Sequence, residues 1–438
     1  MNCKALSFRH IKIYAKSCLC FLLLLSLLIS CASAGKPALR KKSRITLNKE
    51  QFGNHFTGII ILDPEKGDTL LTVNSNSYFT PASNTKLFTF YSALQLLPER
   101  IPVAHYHYQG DTLVVRGTGD PTQFHPYFQD STLYRFLKQH PGPIAVYHDH
   151  FFEEHFGPGW AWEDYDGAYA PERNALPLYG NVVELSLSDS LNVTPSYFED
   201  RVILAAYPYS RKLKQNLFFF DRDKRDTIRV PYLTDTTLTR KLLEASLQRP
   251  ITKAPLFSKE ESKQLLGVAT DSVLKRMMQE SDNFLAEQLL LLVSGQISDS
   301  LNSEKARKFF MSMSLSDLVD PPRWVDGSGL SRYNLFTPAS MVHVLFKLYK
   351  QIPRKRLFEL LPAGGSSGTL EDWFPGDPKP YIFAKSGTLG NNYNLSGYLI
   401  TRKGKTLIFS FMNNHFRQPT REIKIQMQEY LEWVRDTY

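Results

Sequence analysis

The chain has 438 residues, 42% hydrophobic and 13% aromatic, which is enough apolar material for more than one packed core and too much for a disordered chain. Its net charge of +9 is spread along the sequence, and four of the positive charges (Lys4, Arg9, Lys12, Lys16) fall in the first 16 residues, so the balance does not indicate a nucleic-acid site. All four cysteines (Cys3, Cys18, Cys20, Cys31) precede residue 32, which excludes disulfide, zinc-thiolate and cysteine-nucleophile chemistry in the remainder.

Residues 1–30 read as an export signal, with a basic start and then an apolar run over 18–29 that is too short to span a bilayer comfortably. Leu28-Ile29-Ser30-Cys31 resembles a bacterial lipobox, in which Cys31 would be lipidated, while Ala32-Ser33-Ala34 offers a competing ordinary cleavage site. The basic, small-residue stretch to 43 suits a tether, so a periplasmic, lipid-anchored protein of the bacterial envelope is the expectation.

Two strands are predicted over 55–63 and 69–74, joined by the turn Pro64-Glu65-Lys66-Gly67. Next, Pro81-Ala82-Ser83-Asn84-Thr85-Lys86 reads as the first turn of a helix whose apolar stripe is Leu87, Phe90, Tyr91, Leu94 and Leu97. From about 98 to 255 the pattern becomes short strands and aromatic loops, clearest at 111–116, 144–152, 182–187 and 201–207. Helices return from 258, with runs at 273–280 and 284–293 and a threonine-capped, proline-started helix at 337–349. A strand at 381–389, a hairpin (394–402 and 405–412) and a helix over 420–434 close the chain. The expected division is a signal (1–30), a lipidated cysteine and tether (31–43), a main domain in two parts (44–98 and 256–438) and a β-rich accessory module (99–255) between them.

Three short motifs carry the chemistry. Ser83 and Lys86 lie one helical turn apart and so share a face, where a helix N-terminus offers free N–H groups and a deprotonated lysine can take the serine proton. Ser281-Asp282-Asn283 falls between two helices, and Lys385-Ser386-Gly387-Thr388 on a strand. Each is weak alone, but in this order and on these elements they form a serine-lysine acyl-transfer set.

The long interval between the first two motifs resembles the D-alanyl-D-alanine carboxypeptidase/endopeptidase family, the class C low-molecular-mass penicillin-binding proteins, which insert extra domains there. Gly119-Asp120-Pro121-Thr122, Gly159-Trp160, Tyr169-Ala170, Asn181, the run Asp326 to Arg332, and Gly368-Thr369-Leu370 agree with it, from about residue 50 onward. Ser386 stands where threonine is usual, and Glu371 to Phe374 lack the family's arginine. The resemblance implies an α/β (α+β) penicillin-binding, transpeptidase-like fold, with an antiparallel sheet flanked by helices, a helical subdomain and the β-rich insert. It further implies Ser83 as nucleophile, Lys86 as base with its pKa lowered by burial and a nearby Lys385, and an oxyanion hole from the N–H groups of Ser83 and Thr388. Ser281 would relay the proton, Asn283 hold the substrate amide, and Lys385, Ser386 and Thr388 bind the terminal carboxylate. Peptidoglycan stem peptides are the implied substrates and β-lactams the implied inhibitors; no metal or organic cofactor is required. A β-lactamase or esterase on the same fold, or a catalytically silent envelope lipoprotein, are the alternatives. His148, His150, Glu153, Glu154 and His155 invite a metal reading, but solvated strand-end residues are the commoner explanation. Trp160, Trp162, Tyr165 and Tyr169 read first as a loop held by its own packing and second as a sugar platform.

Overall fold

The computed structural model describes residues 55–223 and 226–438; the expected signal, Cys31 and the tether lie outside the described residues. In chain order, β1 (Phe56–Asp63) and β2 (Asp68–Val73) precede a 3-10 turn (Ala82–Thr85) and α1 (Lys86–Leu96). The insert follows with β3 (Arg100–Gln109), β4 (Thr112–Gly117), α2 (Thr132–Gln139), β5 (Ile144–Tyr147), β6 (Val182–Leu187), β7 (Leu191–Thr194), β8 (Val202–Ile203), β9 (Phe218–Phe219), β10 (Thr227–Pro231), α3 (Thr236–Leu247), β11 (Ile251–Lys253) and β12 (Lys263–Ala269). Then come α4 (Thr270–Gln279), α5 (Asn283–Ile297), α6 (Ser303–Ser312), α7 (Pro338–Gln351), α8 (Arg354–Leu360), β13 (Ile382–Leu389), β14 (Asn392–Ile400), β15 (Thr406–Asn414) and α9 (Thr420–Thr437).

The first and last strands build one antiparallel sheet in the order β13-β14-β15-β1-β2. Both of its faces are covered, so β15 is buried along its whole length instead of alternating with solvent. Leu407, Phe409 and Phe411 join Met427, Tyr430 and Val434 of α9, whereas Ile408 and Met412 point the other way into the helical core around α1, α5 and α7. Helix α1 was expected to bury one stripe, but Lys86 through Ala93 are buried without a break, because α5 and α7 pack on it from both sides. Helix α5 is likewise buried from Phe284 to Ser294. Capping matches the expectation at α7, where Thr337 and Ser340 make a reciprocal capping box with proline at N1.

Sheet β13 is an edge strand, and half of that edge is closed. Gly364 N–H donates to Ile382 O at 2.9 Å and Ala384 N–H to Pro362 O at 3.0 Å, so residues 361–367 act as a partial sixth strand. Alternate residues present their backbone groups outward, leaving Ser386 and Thr388 as the open stretch.

The insert differs from the expectation in several of its elements. Its main sheet, ordered β11-β5-β4-β3-β12, includes β3, whose Pro102 argues against a strand but sits at the register shift opposite Leu266. That sheet takes its last strand from Lys263–Ala269, past the boundary expected at 255 and within a stretch expected to be helical. Helices α2 and α3, which the short strands hid in the sequence, pack Leu133, Leu137, Leu238 and Leu242 against the strands of this β-rich module. The strand expected over 144–152 ends at Tyr147, and that over 201–207 shrinks to two residues.

Candidate active site

Ser83 lies in the 3-10 turn and Lys86 opens α1, so the nucleophile candidate sits just ahead of the α-helix rather than inside its first turn. Two glycines bring neighbouring chain to this turn. A side chain on Gly387 would meet Pro81 O at 2.5 Å and Ser83 N at 2.9 Å, so its absence lets β13 lie directly against the serine. Gly329, at φ +87°, approaches so closely that a Cβ would stand 1.9 Å from Ala82 O. Ser281, between α4 and α5, holds a left-handed backbone at φ +57°, a conformation unfavourable for a side chain and common at functional sites. Asp282 caps α5 by accepting from Leu285 N–H at 3.0 Å.

The motif residues converge. Lys86 Nζ donates to Ser83 Oγ (3.1 Å), Asn283 Oδ1 (2.6 Å) and Ser328 O (2.7 Å). Lys385 Nζ donates to Ser281 Oγ (2.9 Å) and Ser386 O (2.7 Å), and Ser386 Oγ to Thr369 Oγ1 (2.9 Å). Ser83 and Ser281 are half-buried, and Thr388 is exposed at the open end of β13. Asn283, expected to receive a substrate amide, instead spends its Nδ2 on the Tyr169 carbonyl at 2.9 Å.

Both lysines are fully buried. Burial pulls Lys86 down to about 8, against the opposing attraction of Asp326, Asp282 and Glu287. Lys385 is held well below the ordinary lysine value by burial first and by the charge of Lys86 second. Burial, one of the two causes expected to lower Lys86, is the larger one.

A second layer shows what the run Asp326 to Ser331 does. Asp326 is buried and accepts from Gly329 N–H (2.8 Å), Ser331 N–H (2.6 Å), Asn334 Nδ2 (2.7 Å) and Trp160 Nε1 (3.0 Å). That fixes the loop whose Ser328 carbonyl receives Lys86. Glu287, one turn after Asn283 on α5, accepts from Ser328 N–H at 2.7 Å, and burial beside Asp326 raises its carboxyl to about 7. Arg173 pairs with Glu287 at 3.6 Å and with Glu153 at 2.8 Å, tying the loop from the insert to this layer. Glu287 and Arg173 escaped the sequence reading because isolated charges have no local pattern; spacing from Asn283 was the one available sign.

The discounted signals also find places. His148 and His150 lie past the end of β5 and are buried rather than solvated; His150 Nε2 bonds Gly117 O at 2.7 Å, His155 Nδ1 bonds Arg173 O at 2.6 Å, and Glu153 joins the ion pair. Trp160 and Tyr165 are buried packing residues, whereas Trp162 and Tyr169 are exposed.

The fold and the site geometry can be set beside known proteins. The chain is 28% identical over 174 residues to D-alanyl-D-alanine carboxypeptidase DacB of Haemophilus influenzae, covering 38% of this chain but only 36% of that protein. Penicillin-sensitive carboxypeptidase A of Dictyostelium discoideum is 22% identical over 427 residues, 81% of this chain and 82% of the relative. The crystal structure of penicillin binding protein 4 from Haemophilus influenzae superposes with a TM-score of 0.70 at 19% identity, covering 90% of this chain and 98% of that one, which establishes the same mixed fold. With the family model for D-Ala-D-Ala carboxypeptidase 3 matching residues 39–198 and 238–434, the chain belongs to the D-Ala-D-Ala carboxypeptidase 3 (S13) family.

Proposed function

We propose that this protein is an exported, lipid-anchored serine D,D-peptidase that cleaves peptidoglycan stem peptides through an acyl-enzyme on Ser83. The observation that carries the reading is the fully buried Lys86 amine 3.1 Å from Ser83 Oγ, with its proton affinity lowered to about 8. In its neutral form Lys86 takes the Ser83 proton as Oγ attacks the carbonyl between two D-alanines. The oxyanion is received by the N–H groups of Ser83 and of Thr388 on the open edge of β13. Ser281, linked to Lys385 at 2.9 Å, relays the proton taken by Lys86 to the departing amine, and water then releases the acyl group. A substrate carboxylate beside Lys385, Ser386 and Thr388 restores the positive charge that burial discourages on Lys385. Asn283 bridges Lys86 to the Tyr169 loop and turns its amide toward the substrate when that loop yields. The family membership supports the substrate class, and the lipobox-like Leu28 to Cys31 supports the envelope location and the anchor. The division into a two-part main domain and an inserted module belongs to the same reading.

Intact-mass analysis of the full chain after incubation with benzylpenicillin tests it. A stable adduct is expected on the wild type and none on Ser83→Ala. Hydrolysis of penicillin without an adduct would favour a β-lactamase, and neither adduct nor hydrolysis would remove the reading.

A further inference from the structure

The accessory module carries an apolar surface that takes no part in the serine chemistry. Between β8 and β9, residues 203–209 are exposed without a break, and every one of them except Tyr207 and Tyr209 lacks a polar side-chain atom. Ile203, Leu204, Tyr207, Tyr209 and the nearby Leu213 are each 39–47% exposed, so the large apolar groups of one segment face water together.

This exposure is held in place from below. Arg211 is buried, and its guanidinium donates to the carbonyls of Pro231 (2.7 Å), Tyr165 (3.0 Å), Lys212 (3.0 Å) and Leu213 (3.2 Å). Tyr165 Oη donates back to Arg211 O at 2.7 Å, and Ser210 N–H donates to an Asp166 carboxylate oxygen at 2.5 Å. The Tyr207 ring stacks on Phe219 with centroids 4.1 Å apart, between Phe218 and Phe220 of the module core. Burying a guanidinium is unfavourable unless its donors are all met, and here the loop backbone meets them only in one shape. A segment that did no more than join β8 to β9 could be polar and mobile. This one fixes its apolar side chains outward before anything touches them.

Charge identifies what the surface meets. Residues 201–220 contain no aspartate or glutamate but include Arg201, Arg211, Lys212 and Lys214. Lys212 and Lys214 are exposed on either side of Leu213, so two ammonium groups on long stems border the apolar patch. At its margin Asp166 and Asp221 are occupied by the backbone N–H groups of Ser210 and Asp223. Aliphatic side chains, phenols with polar tips and flanking lysines suit a bilayer interface: the first enter the acyl boundary, the second stay at headgroup level and the third meet phosphates. A second copy of the chain suits the patch less, because a two-fold contact brings the same lysines back against one another.

We infer that the segment 203–213 docks the accessory module on the surface of an anionic lipid bilayer, with Lys212 and Lys214 on the headgroup phosphates. This contact is reversible and separate from the proposed anchor at Cys31, and neither the anchor nor the serine chemistry requires it.

The test is hydrogen exchange, read by mass spectrometry, on the full chain in vesicles of phosphatidylcholine alone or of equimolar phosphatidylcholine and phosphatidylglycerol. On the anionic vesicles, exchange over 203–213 is expected to slow by about tenfold relative to the neutral ones. Lys212→Glu combined with Lys214→Glu, and separately Leu204→Asp, are expected to abolish that difference while acylation by benzylpenicillin, which checks the fold, stays unchanged. Equal exchange on the two vesicles would overturn the inference, and so would protection that survives in both variants. Protection that follows protein concentration instead of lipid charge would overturn it too, in favour of a second copy covering the patch. If the chain washes off the neutral vesicles, the anchor reading falls by itself, and the same comparison between free chain and chain mixed with anionic vesicles still decides the docking.

Discussion

Lys86 is the residue on which the chemistry turns, and its environment makes a kinetic prediction. Burial lowers it from 10.5 to about 8, so it is mostly protonated at pH 7 and becomes a competent base as the pH rises through 8. Acylation by penicillin should therefore climb by about tenfold per pH unit below that point and level off above it. A stopped-flow profile from pH 6 to 9 checks this, and a flat profile would mean that another group takes the proton. The pairing of Ser83 with Lys86 could be read from the sequence because a helical turn is a local rule. The three acceptors that orient the amine could not all be read so, since Ser328 lies 242 residues away and is presented by a loop that Asp326 organises through buried hydrogen bonds. Asn283 was identified, but its bond to the Tyr169 carbonyl depends on where the insert folds back, which no spacing reveals.

At the scale of elements, the site depends on how near a strand can come to a turn. Gly387 permits that approach, and Gly387→Ala would place a methyl group 2.5 Å from Pro81 O. The strand or the Ser83 turn must then shift, which should slow acylation on the order of 100-fold for a displacement of about 1 Å, with a stability loss of about 1–3 kcal/mol. Fluorescent-penicillin labelling alongside a urea melt separates the two effects; equal acylation in both proteins would refute the packing argument. The terminal hairpin, α7 and α9 were legible because their patterns are long and their turns or caps local. Strand β3 was obscured by Pro102, and the accessory helices by the surrounding short strands. His148 and His150 read as strand neighbours only because the apolar run 144–147 gives no sign of where it stops.

Across the whole molecule, the insert and the main domain are held at the active site by charge as well as by apolar packing. Arg173 stands between Glu153 and Glu287 with all three side chains nearly inaccessible, so Arg173→Met strands two buried carboxylates. A loss of about 3–5 kcal/mol is expected, measured as a fall in the urea midpoint. Arg229→Ala opens the pair with Glu184, which is far more exposed, and should cost no more than about 1 kcal/mol. Similar losses in the two variants would mean that the buried pair is not the stronger tie. The fold class was visible in the sequence through its motifs, whereas the tie from Arg173 to Glu287 joins segments more than a hundred residues apart. The partly closed edge of β13 also bears on solubility. A bare edge strand is a template on which another sheet can grow, and residues 361–367 withdraw half of it, leaving Ser386 and Thr388. What remains is long enough to align one short peptide and too short to recruit a second copy of the protein, so the exposure that catalysis demands is kept below the length at which it would seed aggregation.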